Sequence, residues 1–278
     1  MRPSSPNIGI IAGSGQFPLL TARAARAAGY RVFICGFVGQ TNADLAAEAD
    51  DFILVHLGQL GRLLDFFKEC GVTRVCLAGA IKKARALDMR PDLRAAKVLF
   101  KLRKNHGDDA ILHTVLEELQ AEGLEVRQAA DLLPDLLGPA GVLTRQKPDE
   151  QTWNSIRYGW PIGKALGAHD IGQCLVLLKN MVVAVEALEG TDAVLDRGGL
   201  LAGRGCVALK MLKPKQDRRA DLPSIGLTTI EILVKHNYAC LAYEAGRTLF
   251  FDREKSVSLA DEHDLVIVGL AAEDVFKT

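Results

Sequence analysis

Long apolar runs, paired cysteines and an excess charge of one sign are what this chain lacks. No uninterrupted hydrophobic stretch reaches the roughly 20 residues a membrane-spanning helix needs. Contact with a membrane surface stays open. The six cysteines, Cys35, Cys70, Cys76, Cys174, Cys206 and Cys240, form no CxxC pair, and several sit inside apolar runs such as RVCLAGA. That argues against a zinc or disulfide framework and for buried, reduced thiols in a reducing cytoplasm. Lys plus Arg number 34 and Asp plus Glu number 34, so the formal net charge is zero. No general positive field draws the protein to nucleic acid. Basic residues do gather locally, at Lys82, Lys83 and Arg85, at 101–104 and at 210–219. The polar start MRPSSPNIG runs directly into an apolar stretch, so no secretory leader is expected.

What remains is an ordinary globular composition, 278 residues of which 49% are hydrophobic and 24% charged. Short apolar stretches at 8–12, 31–37, 51–57 and 74–80 alternate with helical spacing at 17–29, 62–71, 92–104 and 108–122, and a further strand is expected at LEVRQA. This rhythm predicts a parallel sheet with crossover helices. The expected fold class is α/β, a Rossmann-like parallel-sheet domain over 1–137 followed by a smaller mixed α/β domain over 138–278. Residues 134–163 hold four prolines, four glycines and both tryptophans, and read as an ordered linker near 138–163 with a helix at 149–158. Beyond it, QCLVLLKN and MVVAVEAL predict two strands turning at Lys179 and Asn180. Further strands are expected at GCVALKML, CLAYEA, TLFFD and DLVIVGL, with a helix at TTIEILVKHN.

The first apolar run ends in Gly13-Ser14-Gly15. In a parallel sheet, ligands sit beyond the carboxyl ends of the strands, and Gly79-Ala80 falls at the same level. A dinucleotide site would need a third glycine, but Pro18 stands there. It would also need an acid at the end of the second strand, and the first one available is Asp44. An NAD-dependent oxidoreductase therefore lacks two of its parts. The turn suits the backbone N–H groups of an anion cradle, and equally a plain strand-to-helix turn.

Chemistry concentrates in the second half. In EALEGTDAVLDRGG, residues 186–199, Thr191 or Asp192 can cap a short helix. Alternatively, Glu189, Gly190, Thr191 and Asp192 hold a phosphate or hydroxyl, with an acid on a metal. In KMLKPKQDRRADLPSIG, residues 210–226, the prolines shape a loop. Its lysines and arginines suit phosphate oxygens, and its carboxylates suit Mg²⁺ or a water. Asp217 and Asp221 would share a face about 6 Å apart in a helical turn. Extended, they would stand roughly 13 Å apart. A solvated surface loop is the plain alternative. The six histidines form no HxxxE or HxH cluster, and His106 beside Gly107-Asp108-Asp109 is read as structural.

Seven blocks in order carry a resemblance: IGIIAGSGQFP, LAGAIKK, GDDAIL, DIGQ, AVEALEGTDA, KPKQDRRADLPSIG and LAYEAGRTLFFD. The chain resembles the UDP-2,3-diacylglucosamine pyrophosphatase family of the LpxI type, over nearly its whole length. The resemblance implies Mg²⁺-assisted hydrolysis of UDP-2,3-diacylglucosamine to lipid X and UMP in lipid A biosynthesis. It implies water attack on the phosphorus nearer the sugar, a ligand held between two domains, and a homodimer. The block QDxRxDLPxIG implies Asp221 as the essential acid with Asp217 beside it, both as Mg²⁺ ligands, and Lys213 as a third catalytic group. The expected substrate-binding residues are Gly13, Ser14, Gly15, Gly79, Ala80, Gln173, Glu189, Gly190, Thr191, Asp192, Lys210 and Arg218. LDRGGLLAG, residues 195–203, departs from the family's Arg followed by Ala-Gly, so Arg197 receives no role. Apolar stripes near 92–116 could take the acyl chains. The partners expected are this lipid-linked UDP-sugar, no nucleic acid, and the cytoplasmic face of the inner membrane as a peripheral contact. An NAD-dependent oxidoreductase acting on a sugar nucleotide and a non-catalytic UDP-sugar or lipid binder stand as alternatives.

Overall fold

The computed structural model describes residues 5–81, 91–101, 108–271, 273, 275 and 276. Lys82, Lys83, Arg85, Lys104, His106 and Gly107 lie outside the described residues. The chain forms two compact units. One runs up to Pro134 and also takes Asp217–Asp221; the other takes Asp135–Gln216 and everything from Leu222 onward.

The first unit is built from β1 (Asn7–Ala12), α1 (Phe17–Ala27), β2 (Arg31–Phe37), β3 (Asp51–Val55), α2 (Leu60–Glu69), β4 (Arg74–Ala78), α3 (Leu93–Lys101), α4 (Asp108–Ala121) and β5 (Glu125–Arg127). The five strands pair in parallel in the order β3-β2-β1-β4-β5. Helices cover both faces, so the inner strands are apolar without alternation. On one face Ala22 and Ala25 of α1 pack over Ile8, Ile10, Val32 and Ile34. On the other, Leu63, Leu64 and Phe67 of α2 and Leu116 and Leu119 of α4 pack over Phe33, Cys35, Val75 and Leu77. The order reverses between β1 and β4, and that is where the crevice of such a sheet opens.

The second unit begins with β6 (Gly141–Val142), α5 (Glu150–Ala168), β7 (Cys174–Leu178), β8 (Met181–Val185), α6 (Thr191–Ala202) and β9 (Val207–Lys210). It continues through β10 (Ser224–Ile225), α7 (Leu227–Lys235), β11 (Cys240–Glu244), β12 (Leu249–Phe250), α8 (Arg253–Glu262) and β13 (Val266–Leu270). Its main sheet runs β6-β13-β11-β9-β7-β8. The central strands β13, β11 and β9 are parallel, while β7 runs against β9 and turns back into β8. Lys179 and Asn180 make that turn with positive φ values of 47° and 60°, as a tight hairpin requires. This mixed sheet of six strands, beside the first unit's five parallel ones, makes the second unit the mixed α/β domain that the sequence predicts. Helices α6, α7 and α8 lie over one face and α5 over the other.

The segment read as a linker is integral to the second unit. Asp149 caps α5 by accepting the Thr152 N–H at 2.7 Å, and the helix runs 19 residues, past Pro161. Proline removes one helical hydrogen bond but does not end the helix, because packing holds both sides of it. Ile156 and Trp160 are buried among Leu175, Leu177 and Leu209. Gly159, Gly163 and Gly167 recur every fourth residue on the sheet side. A Cβ at Gly159 would land on Leu177 Cδ1 and 2.7 Å from Leu209 Cδ1, and one at Gly163 would meet Met211 Cε at 2.7 Å. The stripe therefore lets the helix lie close on the strands.

All six cysteines are free thiols, five of them buried. Burial pushes Cys35, Cys76 and Cys174 up to about 12, which keeps them protonated and inert.

The stripe on α5 sets two effects against each other. Alanine gains about 1 kcal/mol over glycine in a helix, whereas overpacking a tight core costs roughly 1–3 kcal/mol. We expect Gly159→Ala to lower unfolding free energy in urea titrations by about 1–2 kcal/mol. A gain would mean that α5 stands off the sheet.

Candidate functional site

At the carboxyl end of β1 the backbone of Gly13, Ser14 and Gly15 crosses the backbone that leaves β4. The Gly13 N–H donates to Ala78 O at 2.8 Å, and Ser14 and Ala80 exchange backbone bonds of 2.8 and 3.2 Å. Ser14 Oγ also donates to Ala80 O, at 2.9 Å. A Cβ on Gly13 would sit 2.5 Å from Ala80 O, and one on Gly79 would strike Ser14 O. Gly79 has φ +89° and Gly15 has φ +88°, both in the region that favours glycine. The glycines thus serve a close crossing of two loops at the switch point of the sheet. Beside it, Thr41 Oγ1 donates to Ala12 O at 2.5 Å and accepts the Phe37 N–H at 2.8 Å, tying off the end of β2. Asp44 lies farther on, in a short 3-10 turn whose start is capped by Asn42.

In the second unit, residues from four separate segments meet at the carboxyl edge of the sheet. Antiparallel pairing sets Cys174, at the start of β7, opposite Lys210, at the end of β9. Chain reversal at the hairpin brings the end of β8 to the same edge. Glu186 follows β8 and is buried. It accepts the Gln173 N–H at 3.0 Å on one oxygen and the Thr191 hydroxyl at 2.8 Å on the other. Lys210, only 3% exposed, donates its ammonium to Thr191 Oγ1. Thr191 is therefore a relay between a buried cation and a buried anion, and it does not cap α6. The N-cap is Gly190, at φ +84°, with no side-chain bond. Asp192 occupies the first turn of that helix. Glu189 accepts the Ala187 N–H at 3.1 Å and pairs with Arg197, which also holds Val185 O at 3.0 Å. The Arg197 guanidinium draws the Glu189 carboxyl below its ordinary range. Arg197 is thus a lock on the turn after β8. Gln173 Oε1 is buried with no hydrogen-bond partner among the described residues.

A second buried carboxylate fixes the start of the proline-bounded loop. Glu244, at the end of β11 and 1% exposed, accepts the Leu212 N–H at 3.0 Å, Lys164 Nζ at 2.5 Å and Arg247 Nη1 at 3.0 Å. Lys164 also donates to Leu212 O at 2.9 Å, so both main-chain polar groups of Leu212 are held. The next residue, Lys213, is buried and pairs with Asp170 at 2.5 Å. Glu186, Glu244 and Lys164 went unnoticed in the sequence. Their signal is an acid directly after an apolar strand, at 186 and 244.

Asp217–Asp221 belong to the first unit. Asp217 O accepts the Ala220 and Asp221 N–H groups, each at 3.0 Å, which makes this a helical turn. Ala220 packs on the apolar cluster that includes Leu116, and His113 Nδ1 lies 3.9 Å from Asp217. Both Asp217 oxygens face Arg219, with Nε at 3.0 and 3.2 Å and Nη2 at 2.6 Å. Its carboxyl lies below the usual range, chiefly through that hydrogen-bonded pair. Asp221 and Arg218 are exposed on the same turn. The helical spacing is met, yet Asp217 is already engaged. Among the described residues no group of three or more His, Cys, Asp or Glu side chains could hold a metal ion. Mg²⁺ does not require one, since it binds through one or two carboxylates, waters and substrate phosphates. Asp221 fits that mode.

Family models for the LpxI N-terminal domain and the LpxI C-terminal domain match residues 7–136 and 139–268. A relative from Caulobacter vibrioides, named UDP-2,3-diacylglucosamine pyrophosphatase LpxI, is 33% identical, over 96% of this chain and 98% of its own. Among solved structures, the biotin carboxylase domain of Hydrogenobacter thermophilus 2-oxoglutarate carboxylase is 12% identical with a TM-score of 0.29, over 70% of this chain and 41% of its own. The N5-carboxyaminoimidazole synthetase of Staphylococcus aureus, complexed with ADP, is 17% identical with a TM-score of 0.24, over 63% and 38%. Likenesses that slight bear no weight.

The pair at Asp217 has a pH signature. A carboxylate with a depressed native pKa contributes stability above its unfolded value and loses it as pH falls through the native one. Arg219→Gln should return Asp217 toward an ordinary carboxyl. Acid disordering of the 217–221 turn would then begin at higher pH than in the parent. Carboxyl NMR titration of the two proteins measures this, and identical midpoints would show that Arg219 is not the cause.

Proposed function

The chain belongs to the LpxI family, and from that premise we propose that it hydrolyses the diphosphate bond of UDP-2,3-diacylglucosamine, a step of lipid A biosynthesis. The products are 2,3-diacylglucosamine 1-phosphate and UMP. What carries the reading is the end-to-end match, with both family models in order and a pyrophosphatase relative spanning 96% of the chain. The site chemistry supports it. Water forms a bond to the phosphorus nearer the sugar, the bond to the bridging oxygen breaks, and that oxygen leaves with UMP and its electron pair. A proton must leave the water, and negative charge must be met on the transferring phosphoryl oxygens.

Asp221 is the residue we assign to the water, as the carboxylate that orients it. Asp217, bound by Arg219, holds the turn on which Asp221 stands and serves as a positioning residue. Lys213 and Arg218 offset phosphate charge, and Lys210 with Thr191 offers an ammonium and a hydroxyl at the carboxyl edge of the second sheet. Gln173 and the Gly190 turn complete that edge, with Glu189 and Asp192 beside it. Gly13–Gly15 and Gly79-Ala80 shape the first unit's crevice, where the N–H groups of Gly13, Ser14 and Ala80 and the Ser14 hydroxyl are held by the crossing itself. Mg²⁺, held by Asp221 and the diphosphate's own oxygens, would neutralise charge when bound. The substrate is a lipid, and among the described residues no helix is long and apolar enough to cross a membrane. The proposal includes, as the family resemblance implies, a peripheral association at the cytoplasmic face and a homodimer.

Asp221→Asn should lower the hydrolysis rate by about 10²–10⁴-fold, the usual worth of a positioned acid–base group, with UDP-sugar binding retained by calorimetry. An unchanged rate removes Asp221 from the mechanism. Chelation with EDTA should abolish turnover, and added Mg²⁺ should restore it; full activity in EDTA would remove the metal.

A further inference from the structure

Glu186 is fixed by main chain and side chain alike. It is 6% exposed. Its N–H donates to Cys174 O at 2.9 Å, and a Cβ on Gly172 would strike its carbonyl oxygen. One carboxylate oxygen takes the Gln173 N–H and the other the Thr191 hydroxyl. An acid enclosed in this way acts through what it holds.

Thr191 Oγ1 carries one proton, and an ammonium is a donor only. Toward Lys210 the hydroxyl must therefore accept, and its proton goes to Glu186. The order of donation is set, from Lys210 to Thr191 to Glu186. Among the described residues the buried Lys210 ammonium has no other hydrogen-bond partner. It has three N–H donors to satisfy, and buried donors left unmet are costly. Gln173, whose N–H Glu186 holds, also ends in a buried Oε1 with no partner among the described residues. Unmet polar groups at the carboxyl edge of a sheet are what a polar ligand would complete. A direct contact between Glu186 and Lys210 would neutralise the cation. The interposed hydroxyl holds the ammonium farther from the carboxylate, where the attraction is weaker.

We propose that Glu186 is a positioning residue. It turns the Thr191 proton away from Lys210, and so holds the Lys210 ammonium with its remaining donors for a phosphate of the substrate diphosphate. The inference rests on the hydrolase reading for the identity of that anion. It narrows the reading at one point: the Thr191 hydroxyl serves Lys210 and is not itself turned to the phosphate.

The test uses the full chain and two measurements, calorimetric binding of UDP and steady-state hydrolysis of UDP-2,3-diacylglucosamine. Lys210→Met should weaken UDP binding by at least about tenfold, as expected for the loss of a hydrogen bond to a charged group. Glu186→Gln should weaken it by at least about tenfold as well. KM should rise by a similar factor with kcat within about threefold, the pattern of an interaction made equally in ground and transition states. Adding Glu186→Gln to Lys210→Met should cost less than about twofold more, because Glu186 acts through Lys210. An acid with a merely structural role would give losses that multiply. Should Glu186→Gln fail to fold, Thr191→Val breaks the same chain at the hydroxyl with little change of shape. It should show the same loss and the same coupling to Lys210→Met, and Thr191→Ser should recover most of that loss. Losses that multiply would overturn the proposal. So would parent-like UDP binding by Lys210→Met or Thr191→Val, or no UDP binding by the parent. Coupled losses of UDP binding in a chain that does not hydrolyse the substrate would leave the positioning role standing and remove the hydrolase reading. Hydrolysis without coupling would do the reverse.

Discussion

Two carboxylates taken out of water, Glu186 and Glu244, govern the second unit. A buried carboxylate is tolerated only when cations and N–H groups meet it. Glu244 is met by a lysine and Glu186 by a hydroxyl that a lysine holds, and each accepts a backbone N–H that opens or follows a strand. Glu186 recruits Gln173 N–H and, through Thr191, Lys210. Glu244 recruits Leu212 N–H, Lys164 and Arg247. The consequence is geometric. The start of β7 and the ends of β8 and β9 are tied together at Glu186, and the end of β11 is tied at Glu244 to the chain leaving β9. The chain that leaves β9 toward Lys213 starts from Leu212, whose N–H and C=O are both held.

The first unit meets its constraint differently. Its edge is built from backbone, not from buried charge. The loops after β1 and β4 pass so close that neither Gly13 nor Gly79 can carry a side chain. The Gly13, Ser14 and Ala80 N–H groups are used within that crossing, so it fixes the shape of the strand-to-helix turn without any side-chain rotamer. The crossing that excludes a Cβ from both glycines leaves Ser14 Oγ committed to Ala80 O.

Legibility in the sequence followed the range of the forces involved. Apolar runs bounded by glycine reported strands and crossover helices faithfully, because burial on both faces leaves a continuous local signal. The Lys179-Asn180 hairpin was equally local. Helix α5 was visible only over its first half. Pro161 speaks against a helix locally, while what overrides it, packing of Ile156 and Trp160 and the glycine stripe against β7 and β9, is distant in sequence. Helix α8 was missed because only Ser256 and Ala260 of it are buried, which leaves almost no apolar period to read. At the site, Thr191 and Lys210 were marked as chemistry, but their partner Glu186 was not. A relay across 24 residues of chain, from 186 to 210, exists only once the β7–β8 hairpin has closed and α6 has returned the chain to β9.

Asp217 and Asp221 show why residue type alone cannot assign a role. Both stand on one helical turn, four apart, and as ions in water they would be interchangeable. Arg219, two residues on, breaks the equivalence. It occupies both oxygens of Asp217 and holds that carboxyl charged, while the Asp217 carbonyl oxygen accepts the Asp221 N–H. A carboxylate already spanned by a guanidinium is a poor proton acceptor, since its charge is stabilised before any proton arrives. It is a good anchor for the same reason. The turn thus separates two demands that one acid would serve badly: a fixed ionic hinge at Asp217 and an exposed carboxylate at Asp221.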